Sequence, residues 1–390
     1  MKSKIEDNTL TIYLEGRIDS INSAKIAADI DDELKKFEFD KIILNAKNLE
    51  YLSSAGLRVI LNLKKTHNNI KLIKANQTVY EILDMTGFTE MMEVDRIYRK
   101  LSVDDCQIIG KGAKGTVYRY DAETVVKVYN NPESLKEIQR ERNLAKEAFI
   151  LGIPTAISYD IARVDGKFGS VFELLDAKSF SQLIAGTPDN IDFYVSEYAN
   201  LLRKINQTVI KPDSMPDYKE MGFVWIDTAK EVLPQGIYNK VYSMIKATPD
   251  KGTMLHCDYH TNNLMFVNGE TLIIDMDTLS HGHPIFDLAN IYVAHVGFGE
   301  LSSEVVSDYL GYPYDISVAV WKKFLPLYLE TTDENRIKEV EDKTELLAYV
   351  RILRHMIRRN EYETEEGKKK LIYFVDKITK LADRIDSFDF

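Results

Sequence analysis

Residues 255–263, Leu-His-Cys-Asp-Tyr-His-Thr-Asn-Asn, contain the pattern H-x-D-x-x-x-x-N, with Asp258 and Asn263 as its acid and its amide. A loop carboxylate can accept the proton of an attacking hydroxyl, and an amide oxygen is a hard ligand suited to Mg²⁺. A second ligand follows from the next segment. NLMFV (263–267), Asn268-Gly269 and ETLIID (270–275) read as a β-hairpin with a two-residue turn. Pairing Val267 with Glu270 sets Asn263 opposite Ile274, one step from Asp275, so Asn263 and Asp275 can share one cation. A proton acceptor beside a magnesium site is the set that phosphoryl transfer to a hydroxyl requires. Asp277 reads as a third ligand, a substrate contact or a solvated loop charge.

Upstream, Gly110, Gly112 and Gly115 have G-x-G-x-x-G spacing. Glycines let backbone N–H groups approach phosphates. A dinucleotide fingerprint has the same spacing but runs into a helix; here TVYRY and VVKVY (125–129) read as strands, the kinase order of strand, glycine turn and strand. Lys127 lies in the second strand. From about Pro132 to Leu151, Ile138, Glu141, Ala145 and Ala148 form one helical stripe, which puts Glu141 among apolar neighbours. A buried carboxylate needs a partner. Lys127 is the candidate, with Glu137 and Glu147 as alternatives to Glu141.

These elements occupy the longer part of a 390-residue chain, enough for two or three domains. Apolar residues at 45% and charged residues at 28% fit a folded soluble chain rather than a disordered one. No run approaches the ~18 apolar residues of a membrane span, and the N-terminus lacks the apolar core of a secretion signal. Two cysteines, Cys106 and Cys257, make no disulfide framework, so a reducing cytoplasm is expected. The net charge of -11 argues against nucleic acid as a partner. Residues 1–104 hold 16 basic and 17 acidic residues, leaving 34 and 44 beyond, which points to two separate units.

The first hundred residues alternate strands with helices. TLTIYLE (9–15) faces Leu10, Ile12 and Leu14 one way; 23–37 is a helix, KIILNA (41–46) a strand, 53–65 a helix, 70–76 a strand and 78–88 a helix. That order implies a sheet covered by helices. Ser53-Ser54-Ala55-Gly56 opens the second helix, where free N–H groups favour a capping serine and would favour a phosphoserine.

Two family resemblances follow. GRIDS (16–20) and LEYLSSAGLRVIL (49–61) resemble a STAS domain, the α/β fold of anti-sigma factor antagonists, over about residues 3–100. The resemblance makes Ser54 a possible phosphoacceptor and places Asp19 near it; Ser53 stands where the switch proteins often carry aspartate. Residues from about 105 to 300 resemble the aminoglycoside phosphotransferase branch of the protein-kinase fold, with choline and fructosamine kinases. That resemblance implies an α+β bilobal domain, ATP and Mg²⁺ as cofactors, Asp258 as catalytic base, and Asn263 and Asp275 as metal ligands. Lys127 and Glu141 become the phosphate-positioning pair. His256 and Asp287 become structural residues of the catalytic loop. The segment FELLDAKSF (172–180) becomes a hinge whose Glu173 and Leu175 backbones hold adenine. His260 in place of lysine, Met276-Asp277 after the metal aspartate and the lack of an Ala-Pro-Glu string favour the small-molecule branch.

The expected division is a STAS-like domain at 1–102 and a kinase domain at 103–390, with lobes meeting near residue 175. The expected function is ATP- and Mg²⁺-dependent transfer to a small-molecule hydroxyl, with the STAS unit as regulator or protein-docking module. Two alternatives are a kinase acting on a protein serine such as Ser54, and a nucleotide-sensing scaffold without catalysis. Arg351, Arg354, His355, Arg358 and Arg359 share a helix face; the plain reading is solvation, and the other is contact with an anionic acceptor or partner. Trp225 and Trp321 line a pocket or fill the core. Cys257, where the branch often has glycine, reads as a small filler, or as a thiol that makes the enzyme oxidation-sensitive.

Overall fold

A computed structural model describes every residue except Ala113, Pro212 and Asp213, together with the side chain of Pro188. The chain divides into two compact units, Met1–Leu101 and Ser102–Phe390.

In the first unit the strands β1 (Lys2–Glu6), β2 (Thr9–Ile18), β3 (Lys41–Leu52), β4 (Ile70–Ala75) and β5 (Glu93–Arg96) lie side by side in chain order. β1 runs antiparallel to β2, and the other neighbours are parallel. Parallel neighbours need crossovers, supplied by α1 (Ser23–Leu34), α2 (Ser54–Thr66) and α3 (Gln77–Met85). Leu10, Ile12 and Leu14 are buried on one face of β2, as their alternation requires. Several boundaries differ from the sequence pattern: β2 runs on to Ile18, and α3 ends at Met85 rather than at residue 88. α1 stops at Leu34, and Phe37 packs against the core from beyond the helix. β3 continues six residues past Ala46, because register shifts against β2 after Tyr13 and Gly16 let the less regular KNLEYL segment stay paired.

The second unit begins with an antiparallel sheet of β6 (Gln107–Lys111), β7 (Gly115–Arg119), β8 (Thr124–Tyr129), β9 (Asp160–Val164) and β10 (Lys167–Glu173), in the spatial order β9-β10-β8-β7-β6. Helix α4 (Leu135–Ile150) lies between β8 and β9 in sequence. A mainly helical lobe follows, with α5 (Ile191–Gln207), α6 (Lys219–Thr228), α7 (Ile285–Tyr292) and α8 (Glu334–Arg358) around a large apolar core. Trp225 and Trp321 are buried in that core. Short strands carry the chemistry across it: β11 (Thr253–Leu255) pairs with β14 (Ser280–Gly282), and β12 (Leu264–Val267) with β13 (Glu270–Ile273). The unit is the α+β bilobal kinase-like architecture, preceded by the α/β unit. Among the described residues no helix is long and apolar enough to cross a membrane.

Candidate active site

The β12–β13 hairpin has the register expected from its turn. Val267 pairs with Glu270, Asn268 and Gly269 take positive φ of 50° and 89°, and the Ile274 N–H donates to the Asn263 carbonyl at 2.9 Å. Positive φ at both turn residues is why Asn-Gly suits this bend. Asn263 is buried, and its Nδ2 donates to the Asp258 carbonyl at 3.0 Å, while its Oδ1 accepts no hydrogen bond among the described residues.

The loop between β11 and β12 is held from below. Asp287, at the start of α7 and fully buried, accepts from the His256 N–H at 3.1 Å, the Cys257 N–H at 2.6 Å and Asn206 Nδ2 at 2.8 Å. Burial pushes its carboxyl up to about 6 against the pull of these donors. The His256 ring accepts the Asp258 N–H at Nδ1, 3.3 Å, and burial lowers its pKa to about 4, so it is neutral near pH 7. Tyr259 stacks on Tyr198 of α5 at 4.8 Å, and each phenol donates to the other's backbone carbonyl. Asp258 sits on this frame. Burial works to raise its pKa, but the nearby His260, with help from His256 and Arg351, outweighs burial and pulls the group down to about 2. Its carboxylate lies 3.7 Å from His260 Nε2, which in turn meets the Tyr309 hydroxyl at 2.6 Å.

A second cluster gathers across the lobes. Lys127 Nζ lies 3.0 Å from Glu141 Oε1 and 3.1 Å from Asp275 Oδ1. Of the three glutamates considered, Glu141 is the one this lysine reaches; Glu137 is exposed on the same helix. Tyr129 also donates to Glu141, at 2.8 Å. Glu141, Asp275 and Asp277 bring ligand oxygens within 4.8 Å of one another. Burial, then the charges of Asp275 and Glu141, raise the Asp277 carboxyl, while Lys114 from the glycine turn contacts it and opposes the rise. Asp275 adopts φ +63°, a left-handed conformation that non-glycine residues seldom take outside constrained sites.

The glycine turn joins β6 to β7; its Ala113 lies outside the described residues. The Gly112 N–H donates to the Gly115 carbonyl at 2.9 Å. A side chain at Gly115 would collide with the Val128 carbonyl of β8, whereas Gly110 and Gly112 have room. At the hinge the Leu174 N–H is taken by the Glu123 carbonyl at 2.7 Å. Antiparallel alternation turns the backbone groups of Glu173, the last residue of β10, to the opposite edge; Leu175 lies beyond the strand.

In the first unit, Ser53 caps α2: its Oγ accepts the Ala55 and Gly56 N–H groups at 3.2 and 3.4 Å. Ser54 is the first helical residue and is exposed. The Ser53 N–H donates to the Ile18 carbonyl, which places Asp19 just beyond the strand end that meets this helix start. Sequence reasoning missed Asn206, Asn290, Tyr198 and Tyr309. Each holds the loop around Asp258 from a helix; Asn290 closes the segment HPIFDLAN (283–290) that also carries Asp287, and the other three lie in no local motif.

Cys257 settles as a filler. It is buried, burial lifts its thiol pKa well above the usual range, and its backbone takes φ +67°. A buried protonated thiol is inert, so the oxidation-sensitive reading is set aside.

Residues 105–317 match the phosphotransferase enzyme family and residues 1–103 match the STAS domain. An anti-sigma F factor antagonist of Paenibacillus polymyxa is 29% identical over 89 residues, 22% of this chain and 76% of that protein. The ADP-bound crystal structure of aminoglycoside phosphotransferase APH(2'')-Ib is 12% identical, with 80% of this chain and 99% of that chain covered and a TM-score of 0.48. A choline/ethanolamine kinase family protein from Mesorhizobium loti is 14% identical, with 73% and 89% covered and a TM-score of 0.45. The chain belongs to the phosphotransferase enzyme family and carries an N-terminal STAS domain.

Proposed function

We propose that the enzyme uses ATP and Mg²⁺ to phosphorylate a hydroxyl of a small molecule in the cytoplasm, with the STAS unit as its regulatory or protein-docking module. The observation that carries this reading is the meeting of Lys127, Glu141, Asp275 and Asp277 beside the loop that presents Asp258. The donor set fits a hard divalent cation: three carboxylates crowd together, and the Asn263 amide oxygen accepts no hydrogen bond among the described residues. Asn263 and Asp275, with Asp277 as a third candidate, would hold Mg²⁺, which when bound neutralises phosphate charge.

The chain's own residues supply the rest. Gly110, Gly112 and Gly115 keep the turn bare over the phosphates. Lys127, oriented by Glu141, pairs with them, and Glu173 and Leu175 offer backbone groups to adenine. Asp258, ionised at neutral pH, accepts the acceptor's hydroxyl proton; that oxygen bonds to the γ-phosphorus as the bond to the β–γ bridging oxygen breaks and ADP leaves. His256 and Asp287 position the loop without touching substrate. Calorimetry of ADP binding with and without Mg²⁺ tests the reading. Metal-dependent binding is expected, with Asp258→Asn lowering turnover about 10²–10⁴-fold while binding ADP normally. Failure of the wild type to bind nucleotide in the presence of Mg²⁺ sinks it.

A second reading has one favouring observation. Because Ser53 makes the cap, the exposed Ser54 hydroxyl is left available as an acceptor. Intact mass after incubation with ATP decides it: an added phosphate lost in Ser54→Ala supports it, and an unchanged mass removes it.

A further inference from the structure

Arg351, Arg354, His355 and Arg358 recur on α8 at three- and four-residue spacing and share a face. This is not the freely solvated face that charge spacing suggests: Arg351, Arg354 and His355 are half-buried. The Arg351 guanidinium lies over the Trp225 ring, 5.8 Å from its centre. Arg354 Nε is buried with no hydrogen-bond partner among the described residues. The first half of the same helix is different. There Arg336 pairs with Glu339, Lys338 with Glu341 and Asp342, and Lys343 with Glu339. Among the described residues no carboxylate lies within ion-pair distance of Arg351, Arg354 or Arg358. Glu361 approaches His355 at 3.6 Å, but burial and the surrounding arginines push that imidazole down to about 4, so it carries no charge near pH 7.

The face is linked to the catalytic loop through short contacts. Asn290 Nδ2 donates to the Cys257 carbonyl at 2.9 Å and to the Tyr218 hydroxyl at 3.1 Å. Tyr218 packs edge-on against Trp225 at 5.8 Å, and Trp225 carries Arg351. Arg351 is also one of the charges that Asp258 feels. Half-buried guanidiniums without counter-ions are costly, and a planar oxyanion answers them with paired N–H···O bonds. A cationic amine brought to the same place would meet like charge.

We propose that Arg351, Arg354 and Arg358 bind an anionic group of the acceptor, so that the alcohol delivered to Asp258 carries a carboxylate or a phosphoryl group. The inference rests on the phosphotransferase reading and names the substrate class of that same site. Its test is a binding measurement on the full chain saturated with Mg²⁺ and ADP, which fills the nucleotide site. Inorganic phosphate and acetate are titrated in separate arms, read by tryptophan fluorescence, since Trp225 lies beneath Arg351. Saturable binding is expected in at least one arm, and the tighter probe tells phosphoryl from carboxylate. Affinity should fall at least tenfold in Arg351→Gln and Arg354→Gln, and less in the exposed Arg358→Gln. ADP affinity measured on each variant reports that the protein is folded. Absence of anion binding by the wild type, or equal affinity in wild type and all three variants, overturns the inference while leaving the nucleotide reading intact. Loss of ADP binding by the wild type strikes the phosphotransferase reading instead.

Discussion

The backbone of the loop carrying Asp258 and the arginine side chains of α8 are provided with partners in opposite ways. In the loop, backbone donors and carbonyls are matched within the protein: Asp287 takes two N–H groups, Asn263 and Asn290 take the carbonyls of Asp258 and Cys257, and Thr278 takes that of His256. On the arginine face the charges are gathered and, among the described residues, have no carboxylate partner. On the proposed reading the contrast separates two tasks. Geometry for bond-making is set before any ligand arrives, which avoids reorganisation during the reaction. Recognition groups need the opposite condition, since a cation already paired inside the protein has little left to offer a ligand.

The largest effect should come from unmatching the loop. Asp287→Ala removes one acceptor from three buried donors, on His256, Cys257 and Asn206. Each orphaned donor costs about 1–3 kcal/mol, and water or a turn of Asn206 recovers part of that. A loss of about 3 kcal/mol in urea unfolding is expected at pH 7, with turnover falling along with it. A loss below about 1 kcal/mol would mean that the loop is held chiefly by its tyrosine stack, and the contrast drawn above would weaken.

What the sequence revealed follows the same division. Glu141 was legible because a charge in an apolar helical stripe must find a partner, and the hairpin register because Asn-Gly demands one turn type. The helix-covered sheet followed from strands alternating with helices. The supports of the loop were not legible. Asn206, Asn290 and Tyr198 are common residue types in unremarkable helices, and only the fold brings them under residues 256–259. The choice between Ser53 and Ser54 as cap turns on a single residue, finer than periodicity resolves. The arginine face was visible as spacing, but its half-burial and lack of counter-ions depend on what packs around α8.

A pH profile sharpens the comparison further. Asp258, near 2, and His256, near 4, do not change charge between pH 5 and 8, so neither produces a limb in that range. Asp287 does, because burial places it at about 6. As pH falls through 6 it gains a proton and loses acceptor capacity, so kcat/KM should fall with a midpoint near 6. Asp287→Asn should abolish that limb. Stability runs the other way. The folded pKa lies above that of an unfolded aspartate, so the stabilisation from this group is full below about 4 and is lost as pH rises through 6. The stability margin of wild type over Asp287→Asn, read by urea unfolding, should therefore widen between pH 7 and 5. A margin that narrows would assign the limb to another group.

The smallest effect is expected at Cys257. Its φ of +67° is strained for any residue with a Cβ and relaxed for glycine. Cys257→Gly loses a small buried side chain but releases this strain, whereas Cys257→Ala loses the sulfur and keeps the strain. Left-handed backbone costs a non-glycine residue roughly 1 kcal/mol, partly offset by glycine's greater freedom in the unfolded chain. The glycine variant should thus equal or exceed the alanine variant by up to about 1 kcal/mol in urea unfolding, with both keeping turnover. An alanine variant clearly more stable than the glycine one would show that the loop's bend is imposed by Asp287 and Asn290 at no cost to residue 257, and that its matched hydrogen bonds alone define the active geometry.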